Sequence, residues 1–189
     1  MKEETGLAAT VKNSIVGTVK GAGEIVNAVT ETVSGTLVGA IKGTGAVGAA
    51  LTGAVSDVVR GGIQGVTQIG GDVGGATKGA MIGVIRGTKE VSGEAMSTIT
   101  EGASTAVKSV GQVGGDVAGT AMAAVEGAIE GAKELGLDVT KAAGAAATGA
   151  LKGAGEISTT AAEQVTKALT GVISGVKMVA IEPFKAPKS

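Results

Sequence analysis

The sequence predicts an all-α protein, built either as one long amphipathic helix or as helical hairpins on a glycine-rich 22-residue repeat. The chain divides without gaps into 22-residue units that begin at residues 17, 39, 61, 83, 105, 127 and 149, with a partial unit at 171. Eleven residues fill three helical turns, so each unit is two eleven-residue repeats that return to the same helix face. On such a helix the charged residues from Lys12 to Glu182 fall on one side and the aliphatic residues on the other.

Positions 3 and 9 of the unit carry an aliphatic residue in every copy. On a helix with eleven residues in three turns they lie within one apolar arc, called here the apolar stripe. We expect the stripe to contact a lipid surface or another apolar surface. Its members are Val19, Ile25, Ile41, Val47, Ile63, Ile69, Ile85, Val91, Val107, Val113, Ile129, Leu135, Leu151, Ile157, Ile173 and Val179.

Positions 1 and 5 form a second row, because they are glycine in all units except the one that begins at Thr105. A glycine row presents no side chain, so another helix backbone can approach it closely. We therefore expect helix-to-helix contacts at these glycines. They are Gly17, Gly21, Gly39, Gly43, Gly61, Gly65, Gly83, Gly87, Gly127, Gly131, Gly149 and Gly153.

The charged side of the helix has a basic flank and an acidic flank. Lys and Arg favour positions such as that of Arg86, whereas acids favour positions such as that of Glu134. This grading predicts lateral pairing of helices, basic flank against acidic flank; the alternative is pairing along one helix, as between Lys152 and Glu156. Acids at residues 126, 130, 134 and 138 should repel one another along a helix.

Three segments are predicted: an N-terminal extension at 1–5, the repeat array at 6–182, and a tail at 183–189 that contains two prolines. The Gly-Gly pairs at 61–62, 70–71, 74–75 and 114–115 are candidate hairpin bends. A β-stacked repeat fibril is the structural alternative, since positions 3 and 9 would also share one strand face. That arrangement would bury charges such as Lys89, which favours the helix.

The composition argues against an enzyme. The chain has no His, Cys, Trp or Tyr, and it offers no convergent set of catalytic, cofactor-binding or metal-ligating residues. The stretch GTGAVG at 43–48 matches a dinucleotide-binding pattern, but it is one copy of the repeat. A net charge of −1 without stacking aromatics disfavours nucleic acid as a partner, and no small-molecule substrate is predicted. We expect a cytoplasmic protein, peripheral to a membrane or lipid body, since the charged N-terminal residues do not resemble a signal peptide.

Glycine creates the main energetic difficulty for this helix. The chain has 35 glycines, and each costs about 1 kcal/mol relative to alanine in a helix interior. We therefore expect disorder unless the apolar stripe is buried against a partner. That partner is a lipid surface, other copies of the chain, or the same chain folded back.

Two segments carry a family resemblance: TVKGAGEIVNAVTETVSGTL at 18–37 and RGTKEVSGEAMSTITEG at 86–102. By period and composition they resemble the eleven-residue repeats of the synucleins and of the perilipin lipid-droplet coat proteins. The resemblance implies a chain that is disordered in water and becomes a long helix on lipid. The leading functional hypothesis is a non-enzymatic protein that coats a lipid or other apolar surface, with lateral helix pairing. The alternative is a self-assembling filament or helical bundle, packed through the apolar stripe and the glycine rows.

Overall fold

A computed structural model describes residues 6–19, 24–44, 48–91 and 94–178. It confirms the all-α prediction and excludes the β-stacked alternative for this part of the chain. The described elements are α1 (Leu7–Thr18), α2 (Ile25–Thr44), α3 (Ala49–Gln68), α4 (Val73–Glu90), α5 (Ala95–Gln112), α6 (Val117–Glu134), α7 (Val139–Ile157), α8 (Thr159–Ala168), β1 (Gly171–Ile173) and β2 (Val176–Met178).

The helices form two layers, because each of α3 to α7 packs more extensively on the helix two before it in the chain than on the helix directly before it. Helices α1, α3, α5 and α7 make one layer, and α2, α4, α6 and α8 make the other. Consecutive helices run antiparallel: Gly62 in the middle of α3 lies near Val29 and Val33, whereas Gly71 beyond its end lies near Ile25. Helices two apart are parallel, and the apolar side chains fill the space between the layers.

After α3, α5 and α6, short turns at positions 9 to 12 of the unit lead into the next helix. At the end of α3, Gly71 N–H donates to the Val66 carbonyl at 2.9 Å, and Gly70 N–H donates to the Thr67 carbonyl at 3.1 Å. Gly70 has a φ of +67°, which is the left-handed conformation that glycine adopts without strain. This is a Schellman motif, and it satisfies carbonyls that the helix end would otherwise leave unpaired. The same hydrogen bonds recur at 113–116 and 135–138.

An acidic residue at position 12 completes the turn by opening the next helix. The Asp116 carboxylate accepts a hydrogen bond from Gly119 N–H at 2.9 Å, and Asp138 accepts from Lys141 N–H at 3.0 Å. Such an N-cap satisfies one of the free N–H groups of the first helical turn. The turn is therefore encoded as aliphatic-Gly-x-Asp.

The candidate bends have mixed outcomes. The Gly-Gly pairs at 70–71 and 114–115 lie in turns, whereas the pairs at 61–62 and 74–75 lie inside α3 and α4. The turn at 135–138 has a single glycine, Gly136, with a φ of +66°, so a pattern of glycine pairs does not indicate it. Only position 10 needs the left-handed conformation, and one glycine is sufficient there.

Unit eight departs from the expected helix. Residues 171–178 form an antiparallel hairpin in which Val172 faces Lys177, joined at Ser174 and Gly175, which both have positive φ. Two positive-φ residues are typical of the tight turn that matches strand twist, and β-branched neighbours favour strands. In the described part of the chain the last helix therefore ends at Ala168, and residues 171–178 are not helical. The side chains of Ile173 and Met178 cover the ends of α6 and α7.

The predicted segments at 1–5 and 183–189 lie outside the described residues, as do Gly21, Val47 and Val179.

Replacing Gly114 tests the turn. Gly114 has a φ of +71° with open space around it, so Gly114→Ala should cost about 1 kcal/mol of unfolding free energy from backbone strain alone. Gly114→Asn should cost less, because asparagine tolerates the left-handed conformation. Urea unfolding of the two variants checks this, and equal stability of wild type and Gly114→Ala would contradict it.

Candidate functional site

Position 3 of the apolar stripe lies between the two helical layers. The side chains at this position are buried against the chain's own helices, except for Val19, which is half-buried. The buried members are Ile41, Ile63, Ile85, Val107, Ile129, Leu151 and Ile173. The stripe thus contacts the same chain, and the expected contact with an external surface stays a prediction.

Position 9 differs from position 3. Ile25 is buried and Val91 and Leu135 are half-buried, but Ile69, Val113 and Ile157 are 37%, 63% and 38% exposed. A continuous helix would place position 9 on the same face as position 3. Here the helix ends at or beside position 9, so the side chain leaves that face.

The glycine rows are where helices two apart approach most closely. A Cβ on Gly83 would lie 2.7 Å from the Thr30 carbonyl oxygen, and one on Gly127 would lie 2.5 Å from the Lys78 carbonyl oxygen. Side chains cannot fit at such distances, so the glycines permit backbone-to-backbone packing. The same kind of contact with the helix two before occurs at Gly61, Gly65, Gly87, Gly131, Gly149 and Gly153.

The first glycines of each layer are open. A Cβ added to Gly17 of α1, or to Gly39 or Gly43 of α2, would meet no neighbouring atom within 4 Å. Within the described residues no helix lies two before α1 or α2, so no helix backbone packs against these glycines. The expectation of a close contact at these three residues is therefore not met inside one chain.

The unit that lacks these glycines packs differently. Thr105 stands at position 1 of α5, and its hydroxyl donates to Ser56 of α3 at 3.2 Å, while the Ser56 hydroxyl donates to Glu101 at 2.6 Å. Side-chain hydrogen bonds thus replace backbone contact between α3 and α5. This interface is sparser than those between α2 and α4 or between α5 and α7.

Ion pairs join the flanks of helices two apart in a constant register. Position 4 of one helix meets position 8 of the helix two later, with oxygen–nitrogen distances of 2.7 Å for Lys42–Glu90, 2.7 Å for Arg86–Glu134 and 3.1 Å for Lys108–Glu156. Glu156 thus pairs across helices with Lys108, instead of along its own helix with Lys152. Such exposed pairs contribute little stability each, but they favour one register.

The acidic row of α6 faces basic residues of α4. Glu130 lies 2.6 Å from Lys78, and Glu134 pairs with Arg86, so the expected repulsion along α6 is offset across the interface. The hydrogen bond from Glu130 raises the pKa of Lys78 above its ordinary value, although partial burial acts in the opposite direction.

The two edges of the array, where the turns lie, differ in chemistry. At the C-terminal ends of α4 and α6, called the lysine edge, position 7 of the unit is Lys89 and Lys133. Lys89 donates to the Leu135 carbonyl at 2.6 Å, and Lys133 donates to the Ser174 carbonyl at 3.4 Å. These lysines satisfy carbonyls at the end of the neighbouring element.

The opposite edge, called the aliphatic edge, contains the turns at 69–72, 113–116 and 157–158. Position 7 here is Thr67, Gly111 and Gly155, none of which carries a charge. The three exposed position 9 side chains, Ile69, Val113 and Ile157, all lie on this edge, 44 residues apart. From residue 67 onward, position 7 alternates between uncharged residues and lysine, and a comparison made at a 22-residue period does not reveal this 44-residue alternation.

A groove of about 620 Å³ opens on the aliphatic edge between the turns at 69–72 and 113–116. The polar part of its lining includes two threonines and two acidic residues, and the apolar part consists of valines and the glycines of the two turns: Thr67, Thr120, Asp72, Asp116, Val73, Val110 and Val113. The groove thus lies where the ends of α3 and α5 meet the beginnings of α4 and α6, and it is partly acidic.

In the described part of the chain, no three His, Cys, Asp or Glu residues come together as a set that could hold a metal ion. Among the same residues, no helix has the length and apolar character that crossing a membrane requires. In comparisons with known proteins, no family profile and no curated sequence matches this chain.

Alanine at two equivalent glycines tests the close approach. Gly83 and Gly39 both occupy position 1, but only Gly83 faces a neighbouring backbone. Gly83→Ala should lower the unfolding free energy by about 1–3 kcal/mol because the helices must separate. Gly39→Ala should raise it by up to about 1 kcal/mol through helix propensity. Equal effects in chemical unfolding would contradict the contact.

The Lys78–Glu130 pair should make stability depend on alkaline pH. Because the folded pKa of Lys78 is raised, its contribution is fully present below the unfolded value of about 10.4 and is lost as the pH rises through the folded pKa. Thermal unfolding near and above that pH should show a smaller loss for Lys78→Met than for wild type. Lys141→Met, at an exposed residue on α7, is the control and should leave the wild-type dependence unchanged.

Proposed function

We propose that this chain is a non-enzymatic structural repeat protein, whose 22-residue units pack on one another into a helical array that needs no lipid. The observation that carries the proposal is the glycine contact between helices two apart, as at Gly83 and Thr30. A glycine row serves no purpose on a lone surface helix, where it only lowers helix stability. It has a purpose where another backbone lies against it.

The burial of position 3 supports the same function. Ile85 and Ile129 are almost entirely covered by the chain itself, so the apolar surface that the sequence offers to a partner is already occupied. Burial of this kind is the main favourable term that can offset the glycine cost. The chain folded back is thus the partner that the helix requires.

The lipid-coat hypothesis is the competing proposal, and it requires the two helical layers to separate. For the apolar stripe to reach lipid, the two layers must open and exchange their mutual contacts for acyl chains. Ion pairs such as Arg86–Glu134 and Lys42–Glu90 would separate as the layers spread. Coating through the stripe therefore predicts a lipid-dependent conformational change.

Far-UV circular dichroism of the purified chain in lipid-free buffer distinguishes the two proposals. The self-packed array predicts a helical spectrum that unfolds cooperatively in urea. Ile85→Ala, in the buried stripe, should lower the unfolding free energy by about 2–5 kcal/mol. Val172→Ala, at a side chain that is 70% exposed, should change it by less than about 0.5 kcal/mol. A coil spectrum in buffer that becomes helical with vesicles would overturn the proposal in favour of the coat.

A further inference from the structure

We propose that the aliphatic edge is a docking surface for an uncharged lipid surface, which the folded array contacts with its turns and without opening. The inference rests on the proposed function, because it requires the array to stay folded. It concerns different atoms from the buried part of the apolar stripe: the exposed position 9 side chains Ile69, Val113 and Ile157 instead of position 3.

The three side chains form a single row. The turns at 69–72 and 113–116 are neighbours, since both line the same groove. The Ile157 side chain lies against Gly111, just before the turn that carries Val113. The three aliphatic side chains therefore lie at the same edge, one for each pair of helices. They do so because helices two apart are parallel and end on the same side of the array.

The charge distribution favours an uncharged partner. The ionisable residues within the turns at 69–72 and 113–116 are Asp72 and Asp116, whose carboxylates lie at helix N-termini. Lysines at position 7 are confined to the opposite edge, where their ammonium groups are held by backbone carbonyls. Lys12 of α1 lines a pocket together with Val113, so the described residues of this edge carry both signs of charge. An anionic lipid surface attracts an excess of basic residues, which these residues do not supply.

The size and residue types of the row argue against a protein partner. A stable protein interface buries about 800 Å² on each side, far more than three partly exposed aliphatic side chains supply. Protein interfaces also depend on Trp, Tyr and Arg anchors, and no aromatic residue occurs between residues 6 and 178. Aliphatic side chains suit a fluid apolar phase, which needs no complementary shape.

The groove beside this row is not the contact itself. Val73 and Val110 line it together with the acidic residues Asp72 and Asp116, whose carboxylates favour water over acyl chains. The exposed side chains of the row therefore make the contact with lipid, and this leaves the helices and their ion pairs in place.

The test is co-flotation with vesicles of phosphatidylcholine alone, using wild type, Val113→Asp and Val172→Asp. Val172 is the matched control, because it is an equally replaceable valine, 70% exposed, in the hairpin and off the row. Wild type and Val172→Asp should float with the vesicles, and Val113→Asp should bind about tenfold more weakly. Replacing part of the phosphatidylcholine with phosphatidylserine should not strengthen binding, and added salt should not weaken it.

Circular dichroism on the same samples separates this proposal from the proposed function. A coil spectrum of wild type in buffer would reject the self-packed array, and the docking edge with it. A helical wild type that fails to float, or equal losses in the two valine variants, would overturn the docking edge alone. Helicity that rises when vesicles are added would also overturn it, since the array would have opened. A wild-type dimer that Val113→Asp dissociates would assign the edge to a second copy instead.

Discussion

The close approach of helix backbones at glycine is the constraint on which the rest of this structure depends. Where Gly83 meets the Thr30 carbonyl, α4 has no side chain to separate the two backbones, and this close contact favours one register. That register then brings position 4 beside position 8, so ion pairs such as Arg86–Glu134 form where the two positions carry opposite charges. The direction of packing and the pairing of charges are thus set by residues that have no side chain.

The α3–α5 interface shows what happens where the glycines of positions 1 and 5 are missing. With Thr105 in place of glycine, the helices are held through hydroxyls and the Glu101 carboxylate, and a groove remains between their ends. Ser104, one residue earlier, has a buried hydroxyl with no hydrogen-bond partner. The backbone carbonyl of Ser104 packs against Gly153 of α7. Helix α5 thus packs closely against α7 on one side and loosely against α3 on the other.

Much of the fold could be predicted from the sequence, because position 3 is aliphatic in every unit and the glycines are missing from only one. What the sequence left open is whether the helix is continuous or interrupted by hairpin bends. An 18-residue helix such as α6 followed by the four-residue turn at 135–138 fills the same 22 residues as two continuous eleven-residue repeats, so the period alone does not distinguish them. Aliphatic residues at position 9 fit both, either as part of a helix face or as the capping residue of a Schellman turn. The hairpin at 171–178 was hidden for the same reason: Gly171 and Gly175 occupy the repeat positions but supply positive φ instead of a flat helix face.

Residues that touch between helices two apart are separated by a nearly constant number of residues in the sequence. As in other repeat proteins, the array is therefore quasi-one-dimensional. Each added helix packs only on the two helices before it. The sequence separation between contacting residues therefore does not grow as units are added. In the described part of the chain this series of helices is followed by the β-hairpin, whose extended strands offer no glycine row of the kind that the helices use.

The alternation of the two edges restricts how the length of such a chain can change over generations. Loss or gain of one unit would move every later helix to the other layer, so that position 7 lysines such as Lys133 would emerge beside exposed side chains such as Val113. Duplication in steps of two units leaves both edges intact. The heritable module of this architecture is therefore a helix pair, although the visible period in the sequence is half that length.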